Sequence, residues 1–444
     1  MGPRGWEVGG CALDDLASEF GTPLYVMDER TIVTACDSFR SALAARYPGE
    51  SDVLFASKAL CTAAISRLVH EQGLATEVVS GGELATALHA GVPAERIYFQ
   101  GNAKTRAELA FGLRSGVGRF VVDNLEELAT LDDLAAKEGK VADVLLRVAP
   151  GIEAHTHEFI HTGQDDSKFG LYIPGDLDAA VRRILGSNNL RIKGVQAHVG
   201  SQIFDVAPFV AAAELGLDLA VRIRDEHGVT IEELDVGGGL GIAYVEGDDP
   251  PAIDEAMGAV ARATAEGARS RGLPLPRLLV EPGRAIVGTA GCTVYEISTV
   301  KRHDGGKQYY LVDGGMADNP RPITYGAQYT CDAVKPPAQA TAPRSWVLAG
   351  KACEEGDVLI REAALPDLRA GDRVVVWTTG AYCFAMASNY NRQPRPAMVL
   401  VEDGRAALIR ARETYEDLLA RDRLPDGPPF APGAGRGVQG PGSR

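Results

Sequence analysis

The sequence VLFASK (53–58) has the form of a buried β-strand that ends in a polar side chain. Seven further strand-like runs follow before Gly283, and stretches with the apolar period of an α-helix separate them. This alternation predicts parallel strands, because a parallel pair needs a crossover connection of such a length. The eight candidate strands are VLFAS (53–57), ATEVV (75–79), IYFQG (97–101), RFVVD (119–123), VLLRV (144–148), GVQAHV (194–199), ELDVGG (233–238) and LLVEPG (278–283).

Eight parallel strands are the number that closes a (β/α)8 barrel of the TIM type, and we predict this α/β fold. The segments 82–91, 124–139 and 206–227 place apolar residues three and four positions apart, as amphipathic helices do. An open, doubly wound sheet shares the same alternation, so periodicity alone leaves that alternative open.

The pattern changes after Gly283 to short strand-like runs between Gly, Pro and Asp turns, which predicts a second, mostly antiparallel β domain at 286–423. PLYVMD (23–28) also resembles a strand, so residues 1–28 are expected to join this domain, leaving the barrel at 29–285. The tail at 424–444 is rich in Pro and Gly and is expected to be disordered. The candidate strands are CTVYEISTV (292–300), QYYLVD (308–313), SWVLAG (345–350), RVVVWTT (373–379) and AMVLVED (397–403).

The bulk properties of the 444-residue chain exclude some partners. A net charge of -15 would repel nucleic acid and anionic membranes, whereas a small zwitterionic ligand remains compatible with it. No run approaches the ~20 apolar residues that cross a bilayer, and no export signal is visible. Seven cysteines without C-x-x-C spacing predict reduced thiols in the cytoplasm.

Polar side chains recur at the C-terminal ends of the candidate strands, where barrel enzymes build their active sites. Lys58 directly follows an apolar strand, so partial desolvation is expected to lower its pKa and favour imine formation with an aldehyde cofactor. For an isolated lysine, a surface position that caps a helix is the simpler interpretation. The residues at or just after the C-terminal ends of the candidate strands are Lys58, Glu77, Asn102, Asp123, Arg147, His198, Ser201, Gly239, Glu281 and Arg284.

Three short motifs in this set suit a flat, phosphorylated ligand. GGGLG (237–241) can bring backbone N–H groups to a phosphate, although a plain glycine turn is an equal alternative, and it lacks the G-x-G-x-x-G pattern of dinucleotide sites. HVGSQ (198–202) offers an imidazole for stacking and a hydroxyl for a phosphate; a core histidine is the alternative. EPGR (281–284) supplies a carboxylate and a guanidinium, which could also form a local ion pair.

Two other motifs give weaker indications. His155, His157 and His161 suggest zinc, but no Cys or carboxylate completes a known spacing, so we predict a polar loop and no metal. Cys353 in KACEEGD (351–357) could donate a proton, although a buried thiol is the default interpretation.

Taken in order, twelve segments resemble the fold-type III pyridoxal-phosphate-dependent decarboxylases, whose barrel is alanine-racemase-like, and most closely the diaminopimelate decarboxylases. The resemblance runs from about Gly21 to Leu419. Its carriers are FGTPLYVMD (20–28), LFASKAL (54–60), EVVSGGELATAL (77–88), RIYFQGNAKT (96–105), HTHEFIHTGQDDSKFG (155–170), HVGSQI (198–203), DVGGGLGI (235–242), EPGR (281–284), DGGMADNPRPITYGAQY (313–329), CEEGD (353–357), GAYCFAMASNYN (380–391) and RARETYEDLL (410–419).

This resemblance implies the cofactor pyridoxal 5'-phosphate, bound by Lys58 as an imine, and the decarboxylation of meso-2,6-diaminopimelate to L-lysine and CO2 in lysine biosynthesis. His198 would stack on the cofactor ring. Glu281 would keep the pyridine nitrogen protonated, which makes the ring a strong electron sink, whereas alanine racemases of this fold use arginine there. The implied cofactor-binding residues are Lys58, Glu77, Arg147, His198, Ser201, Gly237, Gly238, Gly239, Glu281, Gly283, Arg284 and Tyr382.

The resemblance also implies how the substrate binds. Arg321 and Tyr325 would contact the distal carboxylate together with Arg284 and Tyr382. Glu354 would bind the distal ammonium group. Cys353 and Glu354 would come from the neighbouring subunit of a homodimer, where Cys353 protonates the carbanion, so Lys58, His198 and Cys353 are the expected catalytic residues. The arginine and glutamate favour diaminopimelate over ornithine, which has no second carboxylate.

Two departures from the family pattern leave alternatives open. FQGNAKT (99–105) lacks the usual pair of asparagines, and Glu77 stands where aspartate is more usual. A related decarboxylase of another diamino acid, of carboxynorspermidine or of a specialised-metabolite intermediate therefore remains an alternative. A second alternative is a non-catalytic, regulatory homologue that binds the cofactor. The joint retention of four residues speaks against it: Lys58, Glu281, Cys353 and Tyr382.

Overall fold

The computed structural model describes residues 5–149, 168–173, 175–335 and 342–424. The predicted disordered tail beyond Leu424 and the three histidines of the 155–161 segment lie outside these residues. The chain begins with β1 (Glu7–Val8), β2 (Cys11–Ala12), α1 (Leu13–Phe20), β3 (Leu24–Asp28) and α2 (Glu29–Arg46).

All eight predicted barrel strands are present and close into one parallel barrel in chain order, which excludes the open sheet. The first and last strands pair across the seam, with Leu279 opposite Asp52. The strands are β4 (Ser51–Ala56), β5 (Ala75–Val78), β6 (Ile97–Phe99), β7 (Arg119–Val122), β8 (Ala142–Val148), β9 (Leu190–Ala197), β10 (Glu233–Asp235) and β11 (Arg277–Val280).

Helices surround the barrel, and several begin at a capping side chain soon after a strand. Ser80 and Asn124 accept hydrogen bonds from N–H groups of the first helical turn, and Thr105 forms a capping box with Glu108. The helices are α3 (Ala63–Glu71), α4 (Gly81–His89), α5 (Arg106–Ser115), α6 (Leu125–Glu138), α7 (Asp176–Leu185), α8 (Ala207–His227), α9 (Ile253–Ser270) and α10 (Arg284–Val287). In the part of the chain that is described, no helix combines the length and apolar character needed to cross a membrane.

The barrel interior is layered because alternate residues of a strand face the same side. Its middle layer is apolar and consists of Leu54, Ala75, Tyr98, Val121, Leu145 and Leu279. Two residues further along the same strands, the side chains are mostly polar, and they include Glu77, Gln100, Asp123, Arg147 and Glu281. This alternation explains why the polar residues predicted for the site occur at equivalent positions near the C-terminal ends of successive strands.

Two residues before the apolar layer, the opposite end of the barrel carries a network of ion pairs. Asp52 pairs with Arg96 and with Arg277, so it joins the strands on both sides of the seam. Arg119 pairs with Glu233 at 2.8 Å and with Asp143 at 3.2 Å. Charged side chains therefore close the N-terminal end of the barrel, away from the predicted active site.

The second sheet has nine strands and is antiparallel except where β3 pairs with β18 and β13 with β15. β3 lies between β12 and β18, which confirms that the N-terminal strand joins this domain. The remaining elements are β12 (Gly291–Lys301), β13 (Tyr309–Val312), α11 (Arg321–Tyr325), β14 (Cys331–Ala333), β15 (Arg344–Ala349), β16 (Val358–Leu365), β17 (Arg373–Val376), β18 (Ala397–Glu402), β19 (Arg405–Arg410) and α12 (Tyr415–Leu419).

Candidate active site

The C-terminal ends of the barrel strands open into a cleft of about 580 Å³ that the second domain helps to line. Most of the residues predicted for the cofactor and substrate meet there. Those lining the cleft are Lys58, His198, Ser201, Gly239, Glu281, Gly283, Arg284, Arg321, Tyr325 and Tyr382. Phe169, Gln202 and Met386 line it as well and were not predicted, and Asn102 is not among the lining residues.

Lys58 follows β4 in a short 3-10 turn, and its side chain remains 32% exposed to the cleft. Its Nζ lies 3.0 and 3.3 Å from the two carboxylate oxygens of Glu77, which is fully buried. Burial favours the neutral amine, but the charges of Glu77 and Glu281 outweigh it and raise the pKa of Lys58. The predicted lowering of this pKa is therefore wrong, because the sequence did not reveal the acidic partner.

Glu281 is buried at the end of β11, and both of its oxygens accept hydrogen bonds from amide side chains. Gln100 donates to Oε1, and Gln196 donates to Oε2 at 3.2 Å. Burial and the neighbouring Asp235 raise the pKa of Glu281, and burial raises the pKa of Asp235 to about 7. Two adjacent buried carboxyl groups favour a shared proton, because both cannot easily ionise together.

His198 lies at the end of β9 and faces the cleft as a neutral ring. Burial, followed by the charges of Lys58 and Arg147, lowers its pKa to about 3. The N–H of Gly238 donates to Nδ1 at 3.4 Å, so the ring proton belongs on Nε2. A neutral, flat imidazole suits stacking against an aromatic ring.

The glycine turn after β10 has no room for side chains. A Cβ on Gly238 would lie 1.9 Å from the carbonyl oxygen of Glu281, and one on Gly239 would lie 2.3 Å from that of Gly200. Gly237 and Gly239 have φ angles of 71° and 121°, which glycine adopts readily. The turn therefore presents bare backbone to the cleft, as a phosphate site requires.

Arg284 and Arg321 are buried arginines, 8% and 7% exposed. Arg284 donates to Tyr244 Oη at 2.5 Å and to Ser201 Oγ at 2.8 Å, and Arg321 donates to Tyr329 Oη at 2.6 Å. Neither pairs with an acidic group among the described residues, so the alternative of a local ion pair within EPGR is wrong. A buried cation without a counter-ion indicates a site for an anion.

Two residues that were predicted to bind the cofactor, Arg147 and Glu77, do not line the cleft but lie next to residues that do. Arg147 lies 3.7 Å from Asp123, and its guanidinium is 4.4 Å from the ring centre of Phe169. Glu77 does not line the cleft but contacts Lys58, which does. Both side chains occupy the polar layer of the barrel interior.

Cys353 and Glu354 are exposed and lie outside the cleft, on the loop between β15 and β16. The backbone N–H of Cys353 donates to Asn391 Oδ1 at 2.8 Å. The interpretation of Cys353 as a buried thiol is therefore wrong. Neither residue is among those that line the cleft of its own chain.

Comparison with known proteins agrees with this geometry. Residues 29–288 match the family model described as the pyridoxal binding domain of pyridoxal-dependent decarboxylases. Diaminopimelate decarboxylase from Bacillus subtilis is 45% identical over 94% of this chain and 94% of its own length. The enzyme of that name from Mycobacterium tuberculosis H37Rv is 44% identical over 93% of this chain and 94% of its own.

Solved structures lead to the same family. Diaminopimelate decarboxylase from M. jannaschii in complex with L-lysine has a TM-score of 0.87 and 34% identity, with 93% of this chain and 94% of that chain covered. The Helicobacter pylori enzyme, also complexed with L-lysine, has a TM-score of 0.81 and 29% identity, with 92% and 98% covered. The amine, the buried carboxylate, the neutral imidazole and the glycine turn all fit pyridoxal phosphate. This chain belongs to the pyridoxal-dependent decarboxylases and, within them, to the diaminopimelate decarboxylase family.

Proposed function

We propose that this protein decarboxylates meso-2,6-diaminopimelate to L-lysine and CO2 with pyridoxal 5'-phosphate. The observation that carries the proposal is that a lysine, a buried acid and two arginines meet at one cleft. Lys58, which contacts the buried Glu77, and Glu281 line it together with Arg284 and Arg321, which have no acidic partner among the described residues. Relatives of 43–45% identity that bear the name of this activity support the same substrate.

The cofactor, when bound, supplies an electron sink for the electron pair left behind as CO2 departs. Lys58 is the amine that binds its aldehyde, and the adjacent carboxylate of Glu77 is the nearest acceptor for the proton that the ammonium group must lose. Glu281 would hold a proton at the ring nitrogen. Ser201, Arg284 and the glycine turn would bind the phosphate.

Arg321 orients the substrate by binding its distal carboxylate. Tyr325, which is on the same short helix and also lines the cleft, contributes to the same end of the site. A planar guanidinium recognises a carboxylate by two parallel hydrogen bonds, which a substrate without that group does not offer. Recognition of the distal end would leave the D-centre of the substrate at the end of the cleft that carries the cofactor.

Incubation of the cofactor-loaded protein with meso-diaminopimelate is expected to release CO2 and L-lysine in equal amounts. Arg321→Met should lower kcat/KM about 100-fold, mainly through KM, because the carboxylate loses a buried charged partner. The fold should survive, since the change removes a buried charge that has no acidic partner in the described part of the chain. Arg191→Met is the matched control, because Arg191 pairs with Asp143 at the other end of the barrel. Failure of the wild-type protein to form lysine would contradict the proposal.

We further propose a homodimer in which Cys353 and Glu354 enter the partner's cleft. Both residues are exposed, and neither lines the cleft of its own chain, which supports this arrangement. In the dimer, Glu354 would bind the distal ammonium group, and Cys353 would supply a proton to the carbon that has lost CO2. The protein is also proposed to be cytoplasmic, because its seven cysteines are all unpaired thiols.

Mixing two inactive variants tests the shared site. Lys58→Ala and Cys353→Ala subunits should each be poorly active alone, whereas mixed dimers contain one intact site and should recover up to about a quarter of the wild-type rate. Gel filtration checks that dimers exchange subunits. If Cys353 served the cleft of its own chain, no mixed dimer would contain an intact site and activity would not recover.

A further inference from the structure

Two buried tyrosines, Tyr244 and Tyr329, lie behind the arginines of the cleft and contact each other edge to face, with ring centres 5.4 Å apart. The guanidinium of Arg321 donates to Tyr329 Oη at 2.6 Å and lies 5.0 Å from the ring centre of Tyr244. The hydroxyl of Tyr244 in turn accepts a hydrogen bond from Arg284 at 2.5 Å. One aromatic pair thus contacts both arginines.

We propose that Tyr244 and Tyr329 are positioning residues that hold Arg321 with neutral groups, so that its charge remains available to the distal carboxylate of the substrate. The pair thereby sets the preference for ligands that carry this carboxylate. This inference rests on the proposed function, and it names two residues that would determine the substrate specificity of the enzyme.

The chemistry of the two contacts supports this role. A carboxylate beside Arg321 would also orient it, but it would neutralise the charge and compete with the substrate. A phenol hydroxyl accepts the same hydrogen bond without a charge, and an aromatic face attracts a cation. Burial, and then the nearby Cys383, raises the pKa of Tyr329 well above its usual range, so the hydroxyl stays neutral.

Each tyrosine is itself held in place. The hydroxyl of Tyr329 lies 3.4 Å from the sulfur of Cys383, whose thiol also donates to Asn319 Oδ1 at 3.4 Å. Tyr244 follows the glycine turn, and its backbone N–H donates to Asp248 Oδ2 at 2.8 Å. The two arginines are therefore positioned by residues from both domains.

The test measures how the cofactor-loaded protein discriminates between L-lysine, which has the distal carboxylate, and 1,5-diaminopentane, which lacks it. Tyr329→Phe should weaken L-lysine binding about tenfold or more and leave diaminopentane binding unchanged, since it removes one hydrogen bond to a charged group. The KM for diaminopimelate should rise by the same factor, while kcat changes little. Tyr244→Leu should act in the same direction because Arg321 loses its aromatic face.

Further variants distinguish a role of the tyrosines in positioning Arg321 from a general role in packing the protein interior. Tyr244→Phe keeps the ring, so it should preserve the ratio of the two affinities and instead weaken retention of the cofactor through Arg284. Tyr310→Phe is the matched control, because this hydroxyl donates to the carbonyl oxygen of Pro366 and accepts from the N–H of Leu368, both in the second domain. An unchanged ratio in both Tyr329→Phe and Tyr244→Leu would overturn the inference. The proposed function fails separately, if wild-type protein binds L-lysine selectively but forms none from diaminopimelate.

Discussion

Replacement of Lys58 by alanine is expected to lower kcat/KM by on the order of 10⁴-fold, because the amine that binds the cofactor aldehyde is lost. The absorbance band of the bound cofactor near the visible edge should disappear as well. The alanine variant also leaves the fully buried carboxylate of Glu77 without its partner, so the cofactor-free protein should become less stable. Steady-state kinetics, absorbance spectra and thermal unfolding of one preparation measure all three effects.

The Lys58→Arg variant distinguishes the role of Lys58 in imine formation from the role of its positive charge beside Glu77. Arginine can pair with Glu77 but does not form the imine, so stability should return towards the wild-type value while activity stays low. Lys193→Ala is the matched control, since Lys193 pairs with Glu232 at 2.6 Å beyond the other end of the barrel. A Lys58→Arg protein with near wild-type turnover would contradict the assignment of the cofactor to this residue.

Replacement of Glu281 by glutamine should lower kcat about 10³-fold, because a neutral amide does not keep the ring nitrogen protonated. Cofactor should still bind through Lys58 and the glycine turn, with an altered absorbance spectrum. Glu108→Gln, in the capping box of α5, is the control for a glutamate away from the cleft. Wild-type kcat in the glutamine variant would show that Glu281 does not face the ring.

The same variant should change how stability depends on pH. Glu281 and Asp235 have raised pKa values in the folded, cofactor-free protein, that of Asp235 reaching about 7. The folded state therefore binds protons more tightly than the unfolded state, so stability is greatest below about pH 4 for this pair and falls as pH rises towards 7. Glu281→Gln removes one carboxyl group, and the fall in Tm between pH 5 and pH 8 should shrink.

The barrel could be predicted because each strand keeps one alternation. Apolar positions and polar ends recur in the same phase, so the eight strands and the side of the barrel that carries Lys58, His198 and Glu281 followed from the sequence. The β domain was harder: β16 has Arg361 and Glu362 at its centre, and β19 is mostly exposed. Neither strand shows the pattern of a half-buried face, and both were missed.

The contacts around the site depend on closure of the barrel, which no local pattern specifies. Gln100, Gln196 and Asp235 occupy the same interior layer as Glu281 but are distant from it in sequence, and polarity alone does not distinguish them from surface residues. Their positions in the alternation of inward-facing and outward-facing residues along each strand could have identified them. Tyr244 and Tyr329 lie in loops of different domains, so no period relates them.

The ion pairs at the N-terminal end of the barrel have a consequence for protein engineering. Asp52, Arg96, Arg119 and their partners are separated from Lys58 and Glu281 by the apolar layer of the barrel, so their replacement leaves the reacting groups in place. The cleft contains adjacent acidic groups that weaken the fold but serve the chemistry, whereas the described network at the far end joins groups of opposite charge. Substitutions meant to raise thermal stability should therefore be made first at that far end. The same holds for segments transferred from a heat-adapted relative and for new chain termini. Changes there alter the scaffold but leave the catalytic groups unchanged.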